Sequence, residues 1–262
     1  MPVSPEEVGK TDLASYVEYT NSVSPQVRES QFRATLKMLN KFRSVESGSR
    51  VLEIGIGTGW FQVMCLRNTI DCEGLDLSPQ CVESARELGR RYGVEPKIRL
   101  GNIETTEIGQ NRYDAIVAES LLEHVPMWRE AVHRIYTALK PGGVFYLCAS
   151  NKFSFFSGEF RGLPFYSWLP DRVRQWVRET FEGPEIALWR MDVNQFRYPV
   201  LRKALKDIGF RDIYDFIDTK DPDDLNHPTQ LRRFFVRTLK SSTLAKNIVL
   251  TFWSCTMFVC RK

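Results

Sequence analysis

Residues 51–60 read VLEIGIGTGW, with glycines at alternate positions (Gly55, Gly57 and Gly59) after an apolar run and a carboxylate, Glu53, two residues before the first of them. Glycines at a strand end let backbone N–H groups approach a ligand closely, and they aim the following helix N-terminus at it. The spacing is G-x-G-x-G; the dinucleotide fingerprint G-x-G-x-x-G would need a glycine where this chain has Trp60. An anionic Glu53 would oppose a pyrophosphate but suits a ligand that carries an ammonium group. Asp76 closes a second apolar run seventeen residues after Gly59. A carboxylate there can accept hydrogen bonds from both hydroxyls of a ribose. Gly101-Asn102-Ile103-Glu104 closes a third run, where a polar side chain and an apolar neighbour can hold the edge and face of a purine.

The three run ends therefore offer sites for an amine, a ribose and an adenine, and S-adenosylmethionine (SAM) carries all three. Proton transfer has fewer candidates, because the chain has only three histidines. His124 follows the end of a fourth apolar run, His133 falls inside a helical pattern, and His227 lies in DDLNHPTQ. No zinc site is expected: the six cysteines form no C-x-x-C pair and lie mostly in apolar runs.

These residues need a scaffold of strands with short turns, and the pattern supplies one. RVLEI (Arg50–Ile54), 71–77, 97–100, 113–119 and 143–150 read as strands. Helices are expected from Ser24–Pro25 onward, over 60–67, from Ser78 as N-cap with Pro79 at the first position to 92, and over 127–139, the last ended by Lys140-Pro-Gly-Gly143. Alternation resumes with a helix over 200–208, a strand over 210–217 and a last strand, CTMFVCRK. Such alternation means a parallel sheet covered on both faces. The whole of 1–262 reads as one domain: a helical segment over 1–46 with a polar lead-in, an aromatic-rich insertion over 151–198 and a basic one over 218–252. The first insertion holds twelve Phe, Trp or Tyr.

Composition closes off other classes. With 43% hydrophobic and 26% charged residues the chain is neither disordered nor a multi-span membrane protein. The net charge of +4 is too mild to argue for nucleic acid, but residues 225–262 carry seven Lys or Arg and no acid. No signal peptide is visible, so a cytoplasmic location with reduced thiols is expected.

The ordered set VLEIGIGTG, GLDLS, GNIE, YDAIVAESLLEHVP and ALKPGGVFYL resembles the class I SAM-dependent methyltransferases, in character most like the branch with the ubiquinone and menaquinone biosynthesis enzymes. The likeness covers 50–151 and resumes over 200–217 and the last strand. It implies a Rossmann-like α/β fold, a doubly wound, mostly parallel seven-stranded sheet with helical lid insertions and the last strand inserted antiparallel. It also implies that Glu53, Gly55, Ile56, Gly57 and Gly59 hold the methionine part of SAM, that Asp76 takes the ribose, and that Leu77, Asn102 and Ile103 enclose the adenine. Glu119 and Ser120 would face the sulfonium side. Many relatives carry Asp where this chain has Asn102, whose amide oxygen can still accept from an adenine amino group. His124 is a candidate base, although the LEHVP turn recurs in relatives with different substrates; His227 is a second.

The insertions should select the acceptor. Val173, Trp176, Val177 and Phe181 form a helical stripe flanked by Arg172, Arg174 and Arg178; Leu231, Phe234, Phe235 and Leu239 form another beside Arg232, Arg233, Arg237 and Lys240. Basic amphipathic helices suit an anionic membrane surface, and equally a lid packed on the core. The expected activity is methyl transfer to a small lipophilic or aromatic acceptor, O-methylation first. RNA or protein methylation and a non-catalytic SAM-binding role are the alternatives, and no nucleic-acid module is evident.

Overall fold

The computed structural model describes residues 4–9, 13–157, 160, 163–182, 194–223 and 229–262. Helices α1 (Pro5–Gly9), α2 (Ala14–Ser22) and α3 (Pro25–Leu39) lead in, followed by β1 (Arg50–Ile54), α4 (Trp60–Arg67), β2 (Asp71–Asp76), α5 (Pro79–Tyr92), β3 (Lys97–Leu100) and β4 (Tyr113–Glu119). A 3-10 turn, Leu122–His124, precedes α6 (Trp128–Ala138) and β5 (Leu139–Ser150), and a second, Tyr166–Trp168, follows them. Then come α7 (Asp171–Glu182), α8 (Tyr198–Ile208), β6 (Asp212–Asp215), α9 (Phe216–Thr219), α10 (Gln230–Ser241), α11 (Thr243–Thr251) and β7 (Cys255–Arg261).

The doubly wound, seven-stranded α/β sheet expected from the sequence is present, in the order β3-β2-β1-β4-β5-β7-β6. Its first five strands are parallel, and β7 is inserted antiparallel between β5 and β6. Period-two alternation feeds two cores. On one face Val51, Ala115, Val117, Val144 and Val259 pack with α3, α4 and α5; on the other Leu52, Ile54, Ile116, Ala118 and Phe145 pack with α6 and α8. The strand order reverses between β1 and β4, so the crevice at their carboxyl ends is where such sheets bind ligands. The segments that follow β5 and precede β7 reach this same edge, because β7 runs antiparallel.

Three boundaries differ from the sequence pattern for local reasons. Lys140-Pro-Gly-Gly143 does not cap α6; it bulges out of β5 between the pairs Tyr113–Leu139 and Ala115–Val144. Lys140 is held there by Asp114 at 2.7 Å, and Gly142 takes a positive φ of 72°. The strand expected over 210–217 is shorter, because Asp215 caps a one-turn helix, α9, in a reciprocal box with Asp218. Tyr198 Oη donates to the fully buried Asp215, and Lys246 bridges Asp215 and Asp218 at 2.9 and 2.8 Å, which ties α11 to α8 and α9. The polar lead-in is folded: Val8 and Leu13 are buried, and the Leu13 N–H donates to Gln80 Oε1 at 2.8 Å.

Candidate functional site

The glycine turn after β1 runs Gly55, Ile56, Gly57, Thr58, Gly59, and its three glycines have φ between 52° and 77°. Gly59 is the N-cap of α4, and a Cβ there would stand 2.4 Å from the Ala85 Cβ on α5. Only glycine can take this backbone and let the two helices approach that closely. Gly57 is covered differently, since a Cβ would meet the Tyr16 hydroxyl at 2.8 Å. The α2 helix thus lies across the loop.

Carboxylates gather where β1, β2 and β4 end. Asp76 is almost fully enclosed, its Oδ2 accepting the Gly57 N–H at 3.1 Å and its Oδ1 the Ser78 N–H at 2.8 Å. Burial pushes its carboxyl up to about 6 in spite of these bonds, which favour the ionised form. Glu53 accepts the Gln62 N–H at 3.1 Å in the first turn of α4, and its carboxyl lies well above the ordinary range, first through burial and then through repulsion by Glu119 and Asp76. Glu119, at the exposed end of β4, is raised too by partial desolvation of its carboxyl, against the pull of Arg28. Three acids raised together make a site that favours a cation.

A cavity of about 560 Å³ opens at these strand ends. Gly55, Gly57, Asp76, Leu77, Asn102, Ile103 and Ser120, seven of the eleven residues assigned to SAM, line it. Glu53 and Ile56 are buried, Gly59 begins α4, and Glu119 ends β4 exposed; none of these four belongs to the lining. Asn102 Oδ1 already accepts the Glu104 N–H at 2.8 Å, while its Nδ2 donates to Glu104 Oε2 at 3.1 Å. Glu104 in turn accepts the Met127 N–H at 2.5 Å, joining the β3 end to the start of α6. Ser120 takes a left-handed backbone (φ 52°) that a non-glycine residue seldom adopts, and its N–H donates to the Cys148 carbonyl at 2.8 Å.

Among the candidate bases, His124 lines the cavity and His133 points to solvent from α6. His227 lies outside the described residues. Asn194 fixes the turn that carries His124: its side-chain amide donates to the carbonyls of Leu122 and Val125 at 3.1 and 2.6 Å. Among the described residues no three His, Cys, Asp or Glu side chains converge to hold a metal, and no helix is long and apolar enough to cross a membrane.

Several lining residues escaped the sequence pattern. Tyr16 belongs to the polar lead-in, and Cys148, Ser254 and Cys255 lie beyond the glycine half of the site. Arg178 reaches the cavity from α7 and is buried, as is Arg174, whose guanidinium pairs with Asp171 at 3.0 Å and lies 5.9 Å from the Tyr166 ring. The expected stripe is therefore turned over: Val177, Arg174 and Arg178 face inward while Trp176 and Phe181 are 62% and 72% exposed. Aromatic and cation–π contacts give Arg174 a pocket that offsets its desolvation. In the second stripe Leu239 is buried with Val236, whereas Leu231, Phe234 and Phe235 are exposed.

Residues 52–147 match a family model described as a methyltransferase domain. Among curated relatives, the ubiquinone biosynthesis O-methyltransferase of Xanthomonas oryzae pv. oryzae is 28% identical over 145 residues, 55% of this chain and 61% of the relative. That of Xylella fastidiosa is 33% identical over 107 residues, 40% of this chain and 44% of the relative. The chain thus spans less than two thirds of the length of the relatives it matches. Among solved structures, Haemonchus contortus phosphoethanolamine N-methyltransferase 2, in complex with phosphomonomethylethanolamine and S-adenosylhomocysteine, superposes with a TM-score of 0.57 at 18% identity, covering 89% of this chain and 52% of its own. A SAM-dependent methyltransferase from Mesorhizobium loti gives 0.56 at 16% identity, covering 86% of this chain and 95% of its own. Both likenesses are of fold.

Proposed function

We propose that this chain, which carries a methyltransferase domain over residues 52–147, binds SAM at the glycine turn and transfers its methyl group to a small lipophilic acceptor. The single observation that carries this reading is the convergence of Asp76, the glycine turn, Asn102 and Ile103 on one cavity beside three acids with raised affinity for protons. The residues suit the cofactor on the grounds of their own chemistry. The enclosed Glu53, repelled by Asp76 and Glu119, is relieved by a ligand bearing ammonium and sulfonium charge. Asp76 has the acceptor capacity for two ribose hydroxyls, and Ile103 and Leu77 offer apolar faces for a purine.

Bound there, SAM supplies an electrophilic methyl group that leaves a neutral thioether in a direct displacement. The chain's own work is alignment and exclusion of water. Ser120 lines the cavity, as do Leu13 and Tyr16, whose hydroxyl lies over Gly57 in the glycine turn. For a hydroxyl acceptor, His124 is the cavity histidine placed to take the proton, held in its turn by Asn194. O-methylation is favoured by the names of the curated relatives.

A lipophilic acceptor drawn from a bilayer accounts for the outward apolar faces of the lid segments. Leu244 and Ile248 on α11, with Phe252 just past its end, form an exposed row, and Phe252 joins Phe155, Phe165 and Trp168 in one half-exposed aromatic cluster. Exposed Arg172, Arg232, Arg237 and Lys240 on α7 and α10 complement an anionic surface. The test is transfer of label from methyl-labelled SAM to alkylated catechols presented in phosphatidylglycerol vesicles. Labelled ether that falls at least ~10-fold in His124→Ala supports the reading. SAM binding with no transfer to any hydroxyl, amine or carbon acceptor contradicts it and leaves a non-catalytic SAM-binding module.

A further inference from the structure

Four of the six cysteines are buried, and the two that are half-exposed, Cys148 and Cys255, both line the cavity. Cys148 lies on β5 and Cys255 opens β7, with Cys148 opposite Met257 and Ser150 opposite Cys255. Side chains alternate along each strand, so both thiols project from one sheet face as diagonal neighbours. The Cys148 side chain beside it, helped by Ser254 and opposed by burial and by Glu119, brings the Cys255 thiol down to about 7, while Cys148 is pushed up. A large share of Cys255 is then thiolate at neutral pH, the nucleophilic form. Cys65 and Cys72 supply an internal contrast: they too are neighbours, but both are buried, and burial drives the Cys72 thiol far above its ordinary value.

We propose that Cys148 and Cys255 form a reversible oxidation site, reached through the cavity by a small peroxide. The Cys255 thiolate attacks one peroxide oxygen, the O–O bond breaks, and the leaving hydroxide takes a proton to become water; Cys255 becomes a sulfenic acid. Cys148 then gives up its proton, its sulfur attacks the Cys255 sulfur, and the S–O bond breaks with loss of a second water. Two thiols are oxidised to one disulfide and one hydrogen peroxide is reduced to two waters. A dithiol reductant reverses the change by thiol–disulfide exchange.

Diagonal strand neighbours start at about 7–8 Å between Cα atoms, at the edge of the roughly 7 Å limit for a disulfide. Closing the bond draws the start of β7 toward β5. The Asn151 side chain, just past β5, donates to the carbonyls of Leu250, Thr251 and Trp253 at 2.9 to 3.1 Å. The end of α11 and the aromatic cluster around Phe252 therefore move with the strand, and oxidation narrows the cavity away from the glycine turn.

The experiment treats the full chain with hydrogen peroxide, blocks the remaining thiols, digests and maps peptides by mass, with and without dithiothreitol. The expected result is a reducible link between the Cys148 and Cys255 peptides, absent in Cys148→Ser and Cys255→Ser. In the untreated protein, iodoacetamide should label Cys255 at least ~10-fold faster than any other cysteine. A Cys255 that goes to sulfinate without a link, a first link at Cys65–Cys72, or six unreactive thiols would each overturn the proposal. The wild-type map decides even if a variant fails to fold, and the readout is independent of SAM binding and methyl transfer.

Discussion

The two ends of the cavity are built on opposite rules. At the glycine end the acids hang from the ends of strands whose interiors are largely buried, and Asp76 and Glu53 are held by backbone N–H donors. At the other end, arginines turn inward and Trp176, Phe181, Leu231 and Phe234 turn out to solvent. The first arrangement is complete in itself. The second leaves apolar area exposed that a bilayer or a lipophilic acceptor would cover. On the proposed function, the enclosed half would hold a constant ligand, and the half with exposed apolar surface would choose an acceptor.

The sharpest way to break this comparison is at the glycine turn. Gly59→Val puts a branched side chain on a φ of 77° and against Ala85. The cost should be about 3–5 kcal/mol, seen as a fall of roughly 10 °C or more in the melting temperature of a chain this size. A fall below a few degrees would mean that α4 and α5 are not locked as described.

Asp76 comes next. Its folded pKa of about 6 lies above the ordinary 3.8, so between those values the folded state binds more protons than the unfolded one, and stability falls as pH rises through that window. The stability of wild type relative to Asp76→Asn should drop by on the order of 2–3 kcal/mol from pH 4 to pH 6.5, whatever its offset. Denaturant unfolding at a series of pH values measures this. A flat difference would place Asp76 in water.

At the lid end the effects are smaller and should run against side-chain polarity. Arg174→Ala should cost about 2 kcal/mol through the loss of its pocket, while Trp176→Glu should change stability by less than about 0.5 kcal/mol. Trp176→Glu should nonetheless reduce sedimentation with anionic vesicles several-fold. The reverse order of stability effects would restore the orientation that hydrophobic patterning alone suggests.

That orientation is one of the features the sequence hides. The strands were legible because alternation and glycine breaks are local, and so were Ser78 and Pro79 at the start of α5. The seven-strand count and the antiparallel β7 came from the family likeness, and the structure agrees with them. The α7 face was not legible, because a 174–177–178 stripe and a 173–176–177 stripe differ by one step of the helix, and only tertiary partners such as Tyr166 choose between them. Nor could Tyr16 be placed over Gly57 from the lead-in, where apolar residues are sparse and irregular. Lys140-Pro-Gly-Gly143 misled because the same residues stop helices and form bulges. For the cofactor side, Asp76 and the glycines were readable from spacing, whereas the engagement of Asn102 with Glu104 depends on a side-chain turn that spacing does not encode.

The central claim is that the strand-end cavity is a site for an adenosyl cation, and calorimetric titration tests it most directly. SAM and S-adenosylhomocysteine should each bind with one site per chain, NADH should not bind, and Asp76→Ala should weaken both adenosyl ligands about 100-fold, or roughly 2.7 kcal/mol. A well-folded protein that binds neither adenosyl ligand, or an Asp76→Ala variant that binds them as tightly as wild type, would contradict the account.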